Sequence, residues 1–215
     1  MSGPDVAAGR WIALEGGEGS GKSTQARLLA GTLGAVLTRE PGGTSVGVRL
    51  REALLDPALP GLDIRTEALL MAADRAEHMA EVVAPALEAG RLVVSDRSAW
   101  SSLAYQGYGR GLDLDEVRGL SDWATDGRWP DLAVLVDVDA AVASARLAAA
   151  GRAPDRLERE GDGFHDRVRA GFVAMAAAYP DEWVVVDGDG GVDEVAGRVL
   201  VAVRDRLASS IRWME

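Results

Sequence analysis

Gly16, four intervening residues, and then Gly21, Lys22 and Ser23 make a spacing that suits one kind of chemistry, the binding of a row of phosphates. Glycines let backbone N–H groups converge on phosphate oxygens, a compact ammonium reaches the outer ones, and a hydroxyl can hold Mg2+. Lys22 is the single lysine of the chain; the rest of its 23 basic residues are arginines. A planar guanidinium is too wide to act as a point charge inside such a cradle, so the exception carries information. The cradle comprises Gly16, Gly17, Gly19, Ser20, Gly21, Lys22, Ser23 and Thr24.

Elements on either side must aim it. Trp11 to Leu14 is an apolar run fit for a buried strand, and Ala26, Leu29, Ala30 and Leu33 recur at helical spacing before Gly34. Four more apolar runs follow, at 35–38, 91–95, 132–136 and 183–186, separated by helical patterns. This predicts an α/β fold, a five-stranded parallel sheet flanked by helices in a three-layer sandwich. Ligands of such sheets gather at the carboxyl ends of the strands. Glu15 to Ser23, Arg39-Glu40-Pro41 and Asp96-Arg97 all fall there. Asp96 and Arg97 suit a metal and a phosphate respectively, and a strand-end ion pair is the plainer rival.

The chain of 215 residues, 47% hydrophobic and 27% charged, fits one domain over 11–215 after a loose extension over 1–10. No signal segment or membrane-length apolar run is evident, and with no cysteine a cytoplasmic location is the expectation. A net charge of -11 argues against nucleic acid or an anionic membrane as the main partner. A phosphate-bearing substrate must then be gathered by local arginines. Gly151 to Gly163 is charged and glycine-bounded, which suits a lid over about 146–163.

Glu15 to Thr24, Thr38-Arg39-Glu40-Pro41-Gly42-Gly43-Thr44, Ala72-Ala73-Asp74-Arg75, Asp96-Arg97, Ser101-Ser102-Leu103-Ala104-Tyr105-Gln106-Gly107 and Asp155-Arg156-Leu157-Glu158 occur in that order. Together they resemble the bacterial thymidylate kinases, P-loop enzymes that phosphorylate dTMP with ATP. The resemblance runs from about Trp11 to the last helix and implies a homodimer. It implies that Lys22 and the loop amides hold the ATP phosphates, that Ser23 and Asp96 serve Mg2+, and that Arg97 bridges the acceptor phosphate and the transferred group. Arg39 and Arg51 become candidates to clamp the dTMP phosphate, and Glu18 to accept from the 3′-hydroxyl. Arg75 takes the edge of thymine, Tyr105 packs beside the sugar, and Ser101, Ser102 and Gln106 contact base or sugar. Arg152 and Arg156 of the lid, with Arg159, are expected to swing over the transferred phosphoryl group.

Each role has a plainer rival. The arginines of the lid alternate with acids, as on a solvated helix, and an arginine such as Arg75 commonly pairs with a surface glutamate. His78 and His165 are read as structural or partner-facing, and Trp100 as core. Two positions depart from the family pattern: Met71 stands where a phenylalanine usually stacks on the base, and Ser98 where an aromatic follows Asp-Arg. A kinase for another nucleoside monophosphate, or a nucleotide-binding regulatory module, therefore remains as an alternative. A chain without asparagine has no Asn-Lys-x-Asp guanine motif.

Overall fold

The computed structural model describes residues 9–59, 61–151 and 153–207. Most of the expected N-terminal extension, Arg152 and the C-terminal tail lie outside the described residues. Strands β1 (Trp11–Glu15), β2 (Val36–Arg39), β3 (Val93–Asp96), β4 (Leu132–Asp137) and β5 (Trp183–Asp187) form one parallel sheet in the order β2-β3-β1-β4-β5. β1 is buried along its whole length, as a central strand covered on both faces must be. β2 and β3 end one residue beyond their apolar runs, on Arg39 and Asp96. The register sets Arg39 opposite Asp96 and Asp96 opposite Leu14, so a cation and a carboxylate meet at the sheet's ligand-binding edge.

Helices α1 (Lys22–Leu33) and α9 (Val192–Leu207) cover one face, where Leu29, Val199 and Val203 pack on Ile12, Leu14 and Val134. The other face carries α8 (Asp162–Ala178) and a core of Trp100, Phe164, Phe172, Met175 and Trp183. Trp100 is fully buried, with its ring 4.5 Å from Trp129 and 5.2 Å from Trp183, which makes it core as expected. Burying a side chain of this kind stabilises by roughly 1.5–3 kcal/mol. α2 (Ser45–Leu55), α3 (Ile64–His78) and α6 (Leu114–Thr125) build the wall beyond β2 and β3.

Two helices contain a wider π-helical turn. α3 passes through Met79–Val83 into α4 (Ala84–Glu88), where Pro85 has no N–H to continue an α-helical ladder. The short α5 (Ala99–Ser102) runs into a π turn at Leu103–Gly109. Between α7 (Ala140–Ala149) and α8, within the expected lid, the described residues form one isolated turn. Asp155 Oδ1 accepts from the N–H groups of Leu157 and Glu158 at 3.0 Å, and Glu158 accepts from Asp155 N–H. That reciprocal cap holds a single turn, which stops before Gly161, the N-cap of α8. Among the described residues no helix is long and apolar enough to cross a membrane.

Candidate active site

The phosphate loop connects β1 to α1, and its geometry requires glycine. Gly19 has φ +74, and a β-carbon there would stand 2.4 Å from the carbonyl oxygen of Ala143. Gly21, at φ 90, is the N-cap of α1, so the unpaired N–H groups and the positive end of that helix face the loop. Lys22 Nζ donates to the Gly17 carbonyl at 3.1 Å and lies 3.8 Å from Glu18 Oε2. Burial, helped by the charge of Arg97, pulls the Lys22 ammonium below its ordinary range. Arg146, in the last turn of α7, ties Ser20 of the loop to the Gly188 carbonyl after β5, at 3.2 and 2.9 Å.

A cleft of about 420 Å3 opens beside the loop. Its wall includes Glu18, Lys22, Ser23, Arg39, Arg51, Met71, Asp96, Arg97, Ser101, Tyr105 and Gln106, eleven residues singled out from the sequence. Arg51 Nη1 donates to the Pro41 carbonyl at 3.0 Å, and Arg39 Nε to the Gly42 carbonyl at 3.4 Å. Burial, with the like charges of Arg39 and Arg97, pulls Arg51 below its ordinary value. Three guanidiniums that repel one another around one space make a candidate anion site.

Arg97 is its centre. Its backbone is left-handed, with φ 77, a conformation that costs a non-glycine residue about 1–2 kcal/mol. Its N–H donates to the Leu14 carbonyl at 3.0 Å, which pins the strained residue to β1. The guanidinium donates to the Gly16 carbonyl and Ser101 Oγ, each at 3.1 Å, to Tyr105 Oη at 2.8 Å, and pairs with Glu18. Tyr105 Oη in turn donates to Glu18 Oε1 at 2.9 Å. Burial opposes ionisation of Glu18, but Lys22 and Arg97 outweigh it and hold the carboxyl well below the usual range. A carboxylate among phosphate-binding groups is thus fully engaged by cations, which answers the repulsion its position in the loop implies.

Not every expected contact residue lines the cleft. Arg75, almost fully buried, lies beneath it: Nε donates to Glu40 Oε2 at 2.9 Å, and Nη2 to Ser102 Oγ at 3.1 Å and the Ser98 carbonyl at 3.3 Å. Ser102 serves Arg75 in this arrangement. Arg156 is turned away from the phosphate loop, with Nε donating to the Leu54 carbonyl at 2.7 Å and Nη2 2.8 Å from Glu67 Oε2. His78 is buried between Glu40 Oε1 at 2.9 Å and Thr38 Oγ1 at 2.6 Å, a structural position as expected.

Three buried carboxylates escaped the sequence reading as functional groups. Glu40 orients Arg75 and His78; it belonged to a recognised motif but without a role. Glu15 lies under the loop and accepts from Ser98 Oγ and Ser101 Oγ, each at 2.6 Å, and burial pushes its carboxyl up to about 7. Ser98 is therefore a small hydroxyl that reaches Glu15 while capping α5 through Trp100 N–H at 3.3 Å. Glu67 collects Arg110, Arg156 and Gln106; a helical glutamate gives no sequence signal of burial.

Ser23 and Asp96 face the same cleft, and Asp96 Oδ1 is buried without a hydrogen-bond partner among the described residues. No group of three or more His, Cys, Asp or Glu is placed to hold a metal there or elsewhere in the described residues. One carboxylate and one hydroxyl suit Mg2+, which keeps waters and takes its remaining oxygens from phosphates.

Parallel sheet order, glycine loop, single lysine and arginine-lined cleft define a P-loop phosphotransferase. The thymidylate kinase family model matches residues 14–199. A thymidylate kinase of Leifsonia xyli subsp. xyli is 50% identical over 96% of this chain and 100% of its own length. One of Exiguobacterium sp. is 44% identical over 93% and 96%. A crystal structure of thymidylate kinase from Ehrlichia chaffeensis superposes with a TM-score of 0.76 at 32% identity, covering 91% of this chain and 99% of that one. The chain belongs to the thymidylate kinase family, enzymes that phosphorylate dTMP.

Proposed function

We propose that the protein transfers the γ-phosphoryl group of ATP to the phosphate of dTMP by in-line displacement in this cleft. The observation that carries the reading is the meeting of Lys22, Arg39, Arg51 and Arg97 around one space in a chain of net charge -11. The attacking phosphate oxygen is already anionic, so no general base is needed, and catalysis is positioning and charge neutralisation. The loop N–H groups and Lys22 hold the donor phosphates; Arg39, Arg51 and Arg97 hold the acceptor. Glu18 and Tyr105 take the deoxyribose, the ring standing where a ribose 2′-hydroxyl would project. Met71 covers one side of the base, a softer and less preorganised contact than a phenyl ring. Ser23 and Asp96 hold Mg2+, which when bound neutralises charge on the transferring phosphates. The working form is a cytoplasmic homodimer.

ADP formation with ATP and Mg2+ tests this, comparing dTMP, dUMP, UMP, dCMP, dGMP and AMP as acceptors. dTMP is expected to be the fastest, and Lys22→Ala and Arg97→Ala each to lower kcat by about a thousandfold. Preference for another acceptor overturns the substrate. ATP binding without acceptor-dependent turnover overturns the enzymatic reading.

A further inference from the structure

Glu67 is only 1% exposed, yet it is a carboxylate that can only accept. Donors surround it: Arg110 Nε and Nη2 at 3.2 and 3.0 Å, Arg156 Nη2 at 2.8 Å, and the side-chain amide of Gln106, whose Nε2 lies 3.0 Å from Oε1. Burial opposes its ionisation, but hydrogen bonds from Arg110, Gln106 and Arg156 outweigh that and hold it below the ordinary carboxylate range. Gln106 is itself fully buried and lines the cleft, and its Oε1 has no hydrogen-bond partner among the described residues. The two ends of a glutamine amide have nearly the same shape, so its orientation is settled by chemistry. Turning the oxygen toward an ionised Glu67 would set two acceptors against each other. Turning the NH2 group toward it makes a charge-assisted bond.

We propose that Glu67 is a positioning residue for base selection: by holding Nε2 of Gln106, it fixes Oε1 as an acceptor presented to the base in the cleft. This rests on the reading of the cleft as the dTMP site. A fixed acceptor matches a pyrimidine with an N–H at ring position 3, as in thymine and uracil, and opposes cytosine, which carries a lone pair there. An amide free to turn would serve both. A site built around one hydrogen-bonding pattern discriminates strongly, because the wrong base leaves a buried polar group unpaired.

The test measures kcat/KM for dTMP and dCMP in the parent protein, Glu67→Gln, Gln106→Met and the double variant. Glu67→Gln keeps the shape but accepts either end of its neighbour, and the dTMP-to-dCMP ratio is expected to fall about tenfold. Gln106→Met should lose as much, and the double variant no more than the worse single one, since Glu67 acts through Gln106. An unchanged ratio with both acceptors slowed equally overturns the proposal and leaves Glu67 a tie between α3 and the residues around Arg156. A parent protein with no preference for dTMP over dCMP overturns the dTMP reading itself, whatever the variants do. Should Glu67→Gln fail to fold, NMR of the parent protein with dTMP decides. Gln106 Nε2 and Arg110 Nε share Glu67 Oε1, so a nuclear Overhauser effect between their protons is expected; its absence overturns the proposal.

Discussion

Glu15 is held by two serine hydroxyls, and its protonation therefore reads out burial more than charge pairing. Its carboxyl lies near 7 in the folded chain against an ordinary 4.5. As pH rises through that window the unfolded chain gives up the proton first. The unfolded state then binds fewer protons, so stability falls with rising pH until both states are ionised. The loss through this group between about pH 4 and pH 7.5 is about 3 kcal/mol. Glu15→Gln removes the titration while still meeting both hydroxyls. Urea unfolding of the two proteins should show the variant gaining on its parent by about that amount across the range. A difference that stays constant with pH would mean that Glu15 titrates normally.

At the scale of elements, the segment between α7 and α8 sets Arg156 against Glu67 and Leu54. For Arg156 to neutralise charge on the transferred phosphoryl group, that turn must move, exchanging Glu67 for phosphate while Arg110 stays on Glu67. Interactions made only in the transition state act on kcat. Arg156→Ala should lower kcat about a hundredfold and change the KM for ATP by less than about threefold, in initial-rate measurements at saturating dTMP. Equal factors in both parameters would count against such a contact. The sheet and the phosphate loop were legible in the sequence because their signals are local: apolar runs, glycine spacing and a helix that starts at Lys22. α3 was legible as a helix and, through Met71 and Arg75, in part as a site, but the burial of its charged residues was not. Glu67, Arg75 and His78 fall at helical spacing with Met71 between them, and a polar stripe reads as the solvent face. Arg75 and Glu67 are buried because Glu40 and Arg110, distant in the chain, supply the opposite charges, and the His78 ring sits against Glu40 and Thr38.

Arg75, Arg97, Arg110 and Arg156 turn inward, around the cleft and Glu67, while apolar side chains stand outside on the wall formed by α3 and α6. Trp123 of α6 is 83% exposed and Leu69 of α3 is 57% exposed. A tryptophan can bury about 150–250 Å2, and in a two-fold interface each residue is used twice. A second copy of the chain on this wall would also buttress α3, which carries Met71 and Glu67, from behind. In sedimentation equilibrium at micromolar concentration the parent protein is expected to be a dimer and Trp123→Glu a monomer, because each copy would bury a carboxylate without a partner. Lys22, Arg39, Arg51 and Arg97 of a single chain already surround the cleft, so kcat per chain should stay within about threefold in the variant, with the looser α3 appearing as a higher KM for dTMP. A parent protein that sediments as a monomer, or a variant that remains a dimer, would remove this wall from the interface and leave the chemistry of the cleft standing by itself.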